Sequence, residues 1–212
     1  MFSCIICDLD NTLYSSASGM LTAIDRRIDH FMAAKLKISQ PEIAELRSEF
    51  KQKYGTTLTG LMLHHQVNPD EYFQFAYQIK ITDFIGPDPV LGRVIAEINL
   101  RKAVFSNSPI EYVEEVLQIL KIRQFFEGIY DIRFCDFFGK PNQSSYEKVL
   151  DHFQAKSEEC LMVDDSPPNL VQARKLGMTP ILLSPKPSPE FEWVIAEISE
   201  LKMLLPVILK RF

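Results

Sequence analysis

Four short apolar runs recur along the chain, each ending on small or polar residues. Residues 2–7 end at Asp8, and residues 103–105 end at Ser106, Asn107 and Ser108. Residues 161–163 end at Asp164, Asp165 and Ser166, and residues 181–183 end at Ser184 and Pro185. A strand that is apolar on both faces belongs in the interior of a parallel sheet, where crossover helices cover both sides. The segments between the runs carry helix punctuation. Ser108 and Pro109 can open a helix over 111–120, and Ser166 and Pro167 can open another that Gly177 ends. A further helix is expected over 144–152, and a last one near 193–205. Alternation of this kind predicts an α/β chain with a doubly wound parallel sheet.

Residues 16–84 break the alternation. The stretches 21–36, 41–54 and 71–79 read as helical, and no strand pattern stands between them. Residues 15–19, with three serines and a glycine, open the segment, and Gly86-Pro87-Asp88-Pro89 closes it. The expected division is an α/β core of residues 1–15 and 85–212, with a helical domain of residues 16–84 inserted after the first strand. At 212 residues the chain is long enough for a core plus an insertion of this size.

Composition narrows the partners. Lys and Arg number 23 against 28 Asp and Glu, a net charge of −5, with no long run of either sign. That balance argues against a nucleic-acid polymer or an anionic membrane as partner. The start of the chain is not expected to be a signal peptide, and no apolar run approaches the roughly 20 residues that span a bilayer. A cytoplasmic location is the expectation. Cysteines stand at 4, 7, 135 and 160. The odd spacing of Cys4 and Cys7 within a strand points them to opposite faces, so a redox or zinc pair is not expected. Reduced, buried thiols are.

In an open parallel sheet the loops at the carboxyl ends of the strands meet at one crevice. Three of the apolar runs deliver Asp8, Ser106 and the Asp164–Asp165 pair to such ends. Asp8 and Asp10 stand two apart, which points both carboxylates the same way in an extended chain. They suit a nucleophile and an acid/base, or they make an Asp-rich turn. Asp164 and Asp165 add carboxylates that repel unless a cation neutralises them, and magnesium is the hard ion that suits such oxygens. Helix capping would also account for them. Ser106 and Asn107, just ahead of a helix, can hold phosphate oxygens or form a capping turn. Lys140 can neutralise phosphate charge or stand as a surface lysine. His64, His65 and the aromatic residues 72, 73, 75 and 77 read as packing and surface.

The order Asp8-x-Asp10-x-Thr12, Ser106, Lys140, Asp164-Asp165 resembles the four-motif signature of the haloacid dehalogenase superfamily, and the inserted helices resemble its small C1-type cap. Residues 8–14, 54–58, 126–131 and 162–166 are similar to those of pyrimidine 5′-nucleotidase-type members. The resemblance implies a Rossmann-like core, a Mg²⁺ cofactor and a small phosphomonoester substrate, with a pyrimidine nucleoside 5′-monophosphate as the narrower expectation. It implies that Asp8 is the nucleophile and Asp10 the acid/base. Asp8, Asp165 and the Asp10 backbone carbonyl would hold the metal, with Asp164 in a secondary role, directly or through water. Ser106, the Asn107 backbone and Lys140 would hold the phosphoryl oxygens, and Thr12 would tie down the first loop. An aspartate at position 10 argues for a phosphate ester and against carbon–halogen cleavage. A phosphatase of sugar or other metabolite phosphates, a phosphomutase and a non-catalytic interaction domain with a vestigial site are the alternatives. No oligomeric state is implied.

Overall fold

The computed structural model describes residues 1–211. Its strands are β1 (Cys4–Cys7), β2 (Arg101–Phe105), β3 (Gly128–Tyr130), β4 (Cys160–Asp164), β5 (Thr179–Leu183) and β6 (Val194–Ile195). They form one sheet in the order β3-β2-β1-β4-β5-β6, and every pairing is parallel. The central strand alternates between two apolar layers. Ile5 and Cys7 enter one cluster, and Cys4 and Ile6 enter the other. Each fully buried isoleucine in this strand contributes roughly 1.5–3 kcal/mol of apolar transfer free energy.

The four apolar runs became β1, β2, β4 and β5. Strands β3 and β6 were not expected, because three and two residues are too few to show a pattern. The last helix, expected near 193–205, is present but begins later, over Leu201–Arg211. Val194 and Ile195 extend the sheet edge instead, where the Leu182 amide donates to the Trp193 carbonyl at 2.9 Å and the Ser184 amide to Ile195 at 2.8 Å.

Four helices lie between β1 and β2 ahead of the closing linker: α1 (Met20–Leu36), α2 (Gln40–Tyr54), α3 (Thr57–His65) and α4 (Pro69–Ala76). Arg47 on α2 pairs with Asp25 and Asp29 on α1. Gly55 ends α2 at φ 84°, and Thr56 then caps α3 by accepting the Thr59 amide at 3.1 Å. This tight turn brings the start of α3 against the loop that carries Phe137 and Lys140. A Cβ on Gly55 would stand 2.6 Å from the Lys140 carbonyl oxygen. The Thr59 hydroxyl donates to the Phe137 carbonyl across the same contact.

The remaining helices are α5 (Pro89–Glu97), α6 (Ile110–Ile119), α7 (Gln143–His152), α8 (Pro167–Lys175) and α9 (Leu201–Arg211). Capping of α6 differs from expectation. Pro109 occupies the cap position, and the Asp131 carboxylate accepts the Ile110 amide at 3.0 Å. Ser108 is thereby free for another partner. No described helix is long and apolar enough to cross a membrane.

The reduced state expected of the cysteines holds for Cys7 and Cys135 and fails for the other two, since Cys4 and Cys160 form a disulfide. Parallel pairing puts these two residues in register on neighbouring strands, facing the same layer. A separation of 156 residues hides that proximity from the sequence.

Gly55 and Gly92 give opposite expectations. Gly55→Ala meets both a left-handed φ and a backbone oxygen, so it should destabilise the fold by roughly 2–4 kcal/mol. Gly92 lies within α5 with open space around its Cβ position, and Gly92→Ala should stabilise by about 0.5–1 kcal/mol. Chemical denaturation of the two variants measures both signs.

Candidate active site

The carboxyl ends of β1, β2 and β4 open on one crevice, as the sheet order requires of its central strands. Asp8 follows β1 directly, and its amide donates to the Val163 carbonyl at 2.9 Å, so the register of β4 fixes its position. Asp164 ends β4, Asp165 follows it, and Ser106, Asn107 and Ser108 follow β2. Lys140 arrives from the loop before α7.

Lys140 is no surface residue: it is 1% exposed. Its ammonium donates to Asp8 Oδ1 and to Asp164 Oδ2, each at 2.7 Å, and lies 5.1 Å from the centre of the Phe105 ring. Its backbone is gripped by Asn107, whose amide oxygen accepts the Lys140 N–H at 2.8 Å and whose NH₂ donates to the Lys140 carbonyl at 2.9 Å. Asp164 has no exposure, and both of its oxygens are occupied. Asn169 Nδ2 donates to each at 3.0 Å, and the Ser166 amide donates to Oδ1 at 2.8 Å. Asp164 therefore serves as the lysine's counter-charge. Asn169, in the first turn of α8, was not anticipated.

One ammonium faces the carboxylates of Asp8, Asp10, Asp164 and Asp165, so negative charge is in excess. Burial pulls the Lys140 pKa down, but Asp164 and then Asp8 outweigh it and hold the lysine charged. Burial pushes Asp8 up, Lys140 opposes the shift, and Asp164 and Asp10 add to it. Asp165 is pushed up to about 6, by burial first and by Asp164 second. Carboxylate oxygens of Asp8, Asp164 and Asp165 lie within 4.8 Å of one another. These donors are all oxygen, which fits a hard divalent cation such as magnesium. Such an ion would relieve the charge excess that raises Asp8 and Asp165.

Asp10 stands at the wall of the crevice among hydroxyl groups. Tyr14 donates to its Oδ1 at 2.5 Å, Tyr112 lies 3.0 Å from the same oxygen, and Ser108 donates to Oδ2 at 2.6 Å. Tyr77 in turn donates to Ser108 Oγ at 3.2 Å. Burial, followed by the nearby Asp10 charge, raises the pKa of Tyr14, Tyr112 and Tyr77, so these phenols remain protonated donors. Ser106 is fully buried in the same loop, and its hydroxyl accepts the Ser108 amide at 3.1 Å. The Thr12 hydroxyl is buried without a hydrogen-bond partner among the described residues. It does not tie down the loop. The Thr12 and Leu13 amides do so, each donating to the Leu9 carbonyl.

The crevice has a volume of about 290 Å³. Its far wall comes from the inserted helices: Leu21, Ile24 and Ile28 on α1, Tyr72 and Phe73 on α4, and the start of α3. Thr57, the first residue of α3, lines the crevice, and its buried hydroxyl has no partner among the described residues. The expectation that residues 72, 73 and 77 are only packing is therefore corrected. Their side chains look like ordinary amphipathic-helix residues in the sequence, and only docking against the sheet turns them toward the site.

A family model described as haloacid dehalogenase-like hydrolase matches residues 2–177. The chain is 23% identical to phosphate metabolism protein 8 of Saccharomyces cerevisiae over 81% of its own length and 58% of that protein's. It is 26% identical to a glyceraldehyde 3-phosphate phosphatase of Pyrococcus furiosus over 96% of this chain and 92% of that one. A 2-haloacid dehalogenase from Pseudomonas syringae pv. Tomato DC3000 superposes with a TM-score of 0.60 at 16% identity, covering 100% of this chain and 99% of that chain. At that identity the last likeness concerns the fold.

Asp165 generates a pH expectation for the metal-free protein. Its folded pKa is raised from an ordinary 3.8 to about 6, so the folded state holds the proton more tightly than the unfolded chain. Its contribution is fully present below about pH 4 and is lost as the pH rises through about 6. The thermal midpoint of the wild type should fall across that window more steeply than that of Asp165→Asn. Parallel slopes for the two proteins would contradict the assigned burial effect.

Proposed function

Because the chain belongs to the haloacid dehalogenase-like hydrolases, we propose that it is a magnesium-dependent phosphomonoester hydrolase working through an aspartyl-phosphate on Asp8. The observation that carries this reading is the Asp8 carboxylate at the crevice floor, paired with the buried Lys140 and backed by Asp164, with Asp10 on the wall beside it.

The chain's own residues supply the steps. An Asp8 oxygen attacks phosphorus and forms a P–O bond while the bond to the leaving oxygen breaks. Asp10, acting as general acid, gives a proton to that leaving oxygen. Asp10 then takes a proton from water, the water oxygen attacks phosphorus, and the bond to Asp8 breaks to release inorganic phosphate. Lys140, Ser106 and the Asn107 backbone would hold the equatorial phosphoryl oxygens, where charge spreads during transfer. Asp8 and Asp165, with the Asp10 carbonyl, would hold magnesium, which would supply positive charge to the phosphoryl group and offset the carboxylate excess. Asp164 supports this set through Lys140 and Asn169. The acid/base at position 10 favours phosphate esters over carbon–halogen bonds, since a halide leaves without a proton.

Residues 16–84 act in this reading as a cap that selects the substrate, while residues 1–15 and 85–212 carry the chemistry. A pyrimidine nucleoside 5′-monophosphate is the proposed substrate. Leu21, Ile24, Ile28, Tyr72 and Phe73 offer an apolar and aromatic wall to a flat ring. The start of α3, with Thr57, offers donors to ring carbonyls.

Three measurements bear on this. Thorough chelation should abolish phosphate release, and Mg²⁺ should restore it. Asp8→Asn should have no turnover. Asp10→Asn should lose about 10²–10⁴-fold on a nucleotide. With p-nitrophenyl phosphate, Asp10→Asn should release a burst of about one nitrophenol per site and leave phosphate on Asp8, as mass spectrometry would register; phosphate on Ser106 instead would overturn the nucleophile.

A substrate panel tests the narrower claim. UMP and CMP should be hydrolysed with higher kcat/KM than AMP, GMP and sugar phosphates. Far better hydrolysis of glyceraldehyde 3-phosphate or other small sugar phosphates would leave the phosphatase standing and remove the nucleotide.

A further inference from the structure

The hydroxyl groups around Asp10 are arranged unequally about its two oxygens. Oδ1 meets the phenols of Tyr14 and Tyr112, which are 2.5 Å and 3.0 Å away and 2.9 Å from each other. Both tyrosines are buried, on the first loop and on α6, and neither lines the crevice. Oδ2 meets Ser108, which does line the crevice, as does Tyr77 behind it. One oxygen of Asp10 is thus turned into the protein and the other toward the substrate.

A count of hydrogens sharpens the difference. Two phenols carry two hydrogens and make three contacts in a closed triangle with Oδ1, so neither has a hydrogen to spare. Both phenols can donate to Oδ1, so two donors hold that oxygen against one on Oδ2. Ser108 is the partner on the crevice side, and its hydroxyl can donate or accept. It can give its hydrogen to an ionised Asp10, or accept from a protonated Asp10 and turn its own hydrogen toward Tyr77. Those two states are the ones an acid/base must visit.

We propose that Tyr14 and Tyr112 are positioning residues that hold Oδ1 of Asp10 and thereby keep Oδ2 on the crevice side, where Ser108 and Tyr77 complete its hydroxyl surroundings. The proposal rests on the reading of Asp10 as the acid/base and deepens it. Without the phenols the carboxyl group can rotate, and either oxygen can carry the proton. A proton on the inward oxygen is out of reach of the leaving group. A misplacement of about 1 Å in such a group can cost on the order of 10²-fold in rate.

The test is a comparison across leaving groups with the full chain and Mg²⁺. Tyr14→Phe and Tyr112→Phe keep the rings and remove only the hydroxyls. Each is assayed with UMP, whose alkoxide leaves poorly, and with p-nitrophenyl phosphate, whose phenolate leaves without a proton. For UMP, kcat/KM should fall about 10–100-fold through kcat, with KM within about 3-fold. For p-nitrophenyl phosphate, kcat/KM should stay within about 3-fold of wild type. The same substitutions made in Asp10→Asn should add no further loss with UMP, because the phenols act through Asp10.

Equal losses on both substrates, or a further loss in the Asp10→Asn background, would show a general structural role and overturn the proposal. Wild-type kinetics in both single variants would also overturn it. If one variant fails to fold, by its thermal midpoint, the other carries the comparison. If both fail, a structural role accounts for the hydroxyls and the proposal is overturned. Failure of the underlying reading looks different: Asp10→Asn itself would then lose no more activity with UMP than with p-nitrophenyl phosphate.

Discussion

Lys140 sits in the crevice floor with its charge fully out of water, and the surrounding structure is organised around that charge. An isolated buried ammonium would lose its proton or its position. Asp8 and Asp164 keep it charged at 2.7 Å each. Asn169 and the Ser166 amide hold Asp164 in turn, and Asn107 holds the lysine backbone. Removing one partner of such a set leaves an unpaired buried charge, at a cost of about 3–5 kcal/mol. The same contacts fix the nucleophile proposed for the reaction. Stability and site geometry are here the same set of interactions.

The excess of carboxylate over ammonium gives the site its character. Burial and mutual repulsion raise Asp8 and Asp165, and both shifts act in the direction that a hard cation would reverse. Asp10 has a separate environment of neutral hydroxyl donors. Two kinds of carboxylate surroundings therefore lie side by side, one suited to a cation and the other to moving a proton.

The inserted helices meet this floor at one tight turn. Gly55 lets α2 end and α3 begin against the Lys140 carbonyl, and Thr59 bonds the Phe137 carbonyl beside it. Tyr77, where the chain leaves α4, reaches Ser108 from the other side. The wall that faces a substrate is thereby held to the backbone around Lys140 and, through Ser108, to Asp10.

The sequence by itself determined the sheet class, the four longer strands and the helical insertion, because apolar runs and helix punctuation are local patterns. It also determined that Asp8, Asp10, Ser106 and Asp164–Asp165 could meet, since strand ends converge in such a sheet, whereas Lys140 joined them only through the family resemblance. Only the tertiary structure decided what depends on register and docking. It paired Cys4 with Cys160, gave Asp164 to Lys140 and Asn169, and turned Tyr14, Ser108 and Tyr112 onto Asp10. It also left the Thr12 hydroxyl without a partner and made an edge strand where a helix was expected. The disulfide, the Lys140–Asp164 pair and the bonds of Ser108 and Tyr112 to Asp10 are contacts between residues far apart in the chain, and β6 is a strand of two residues. Neither leaves a periodic mark in the sequence.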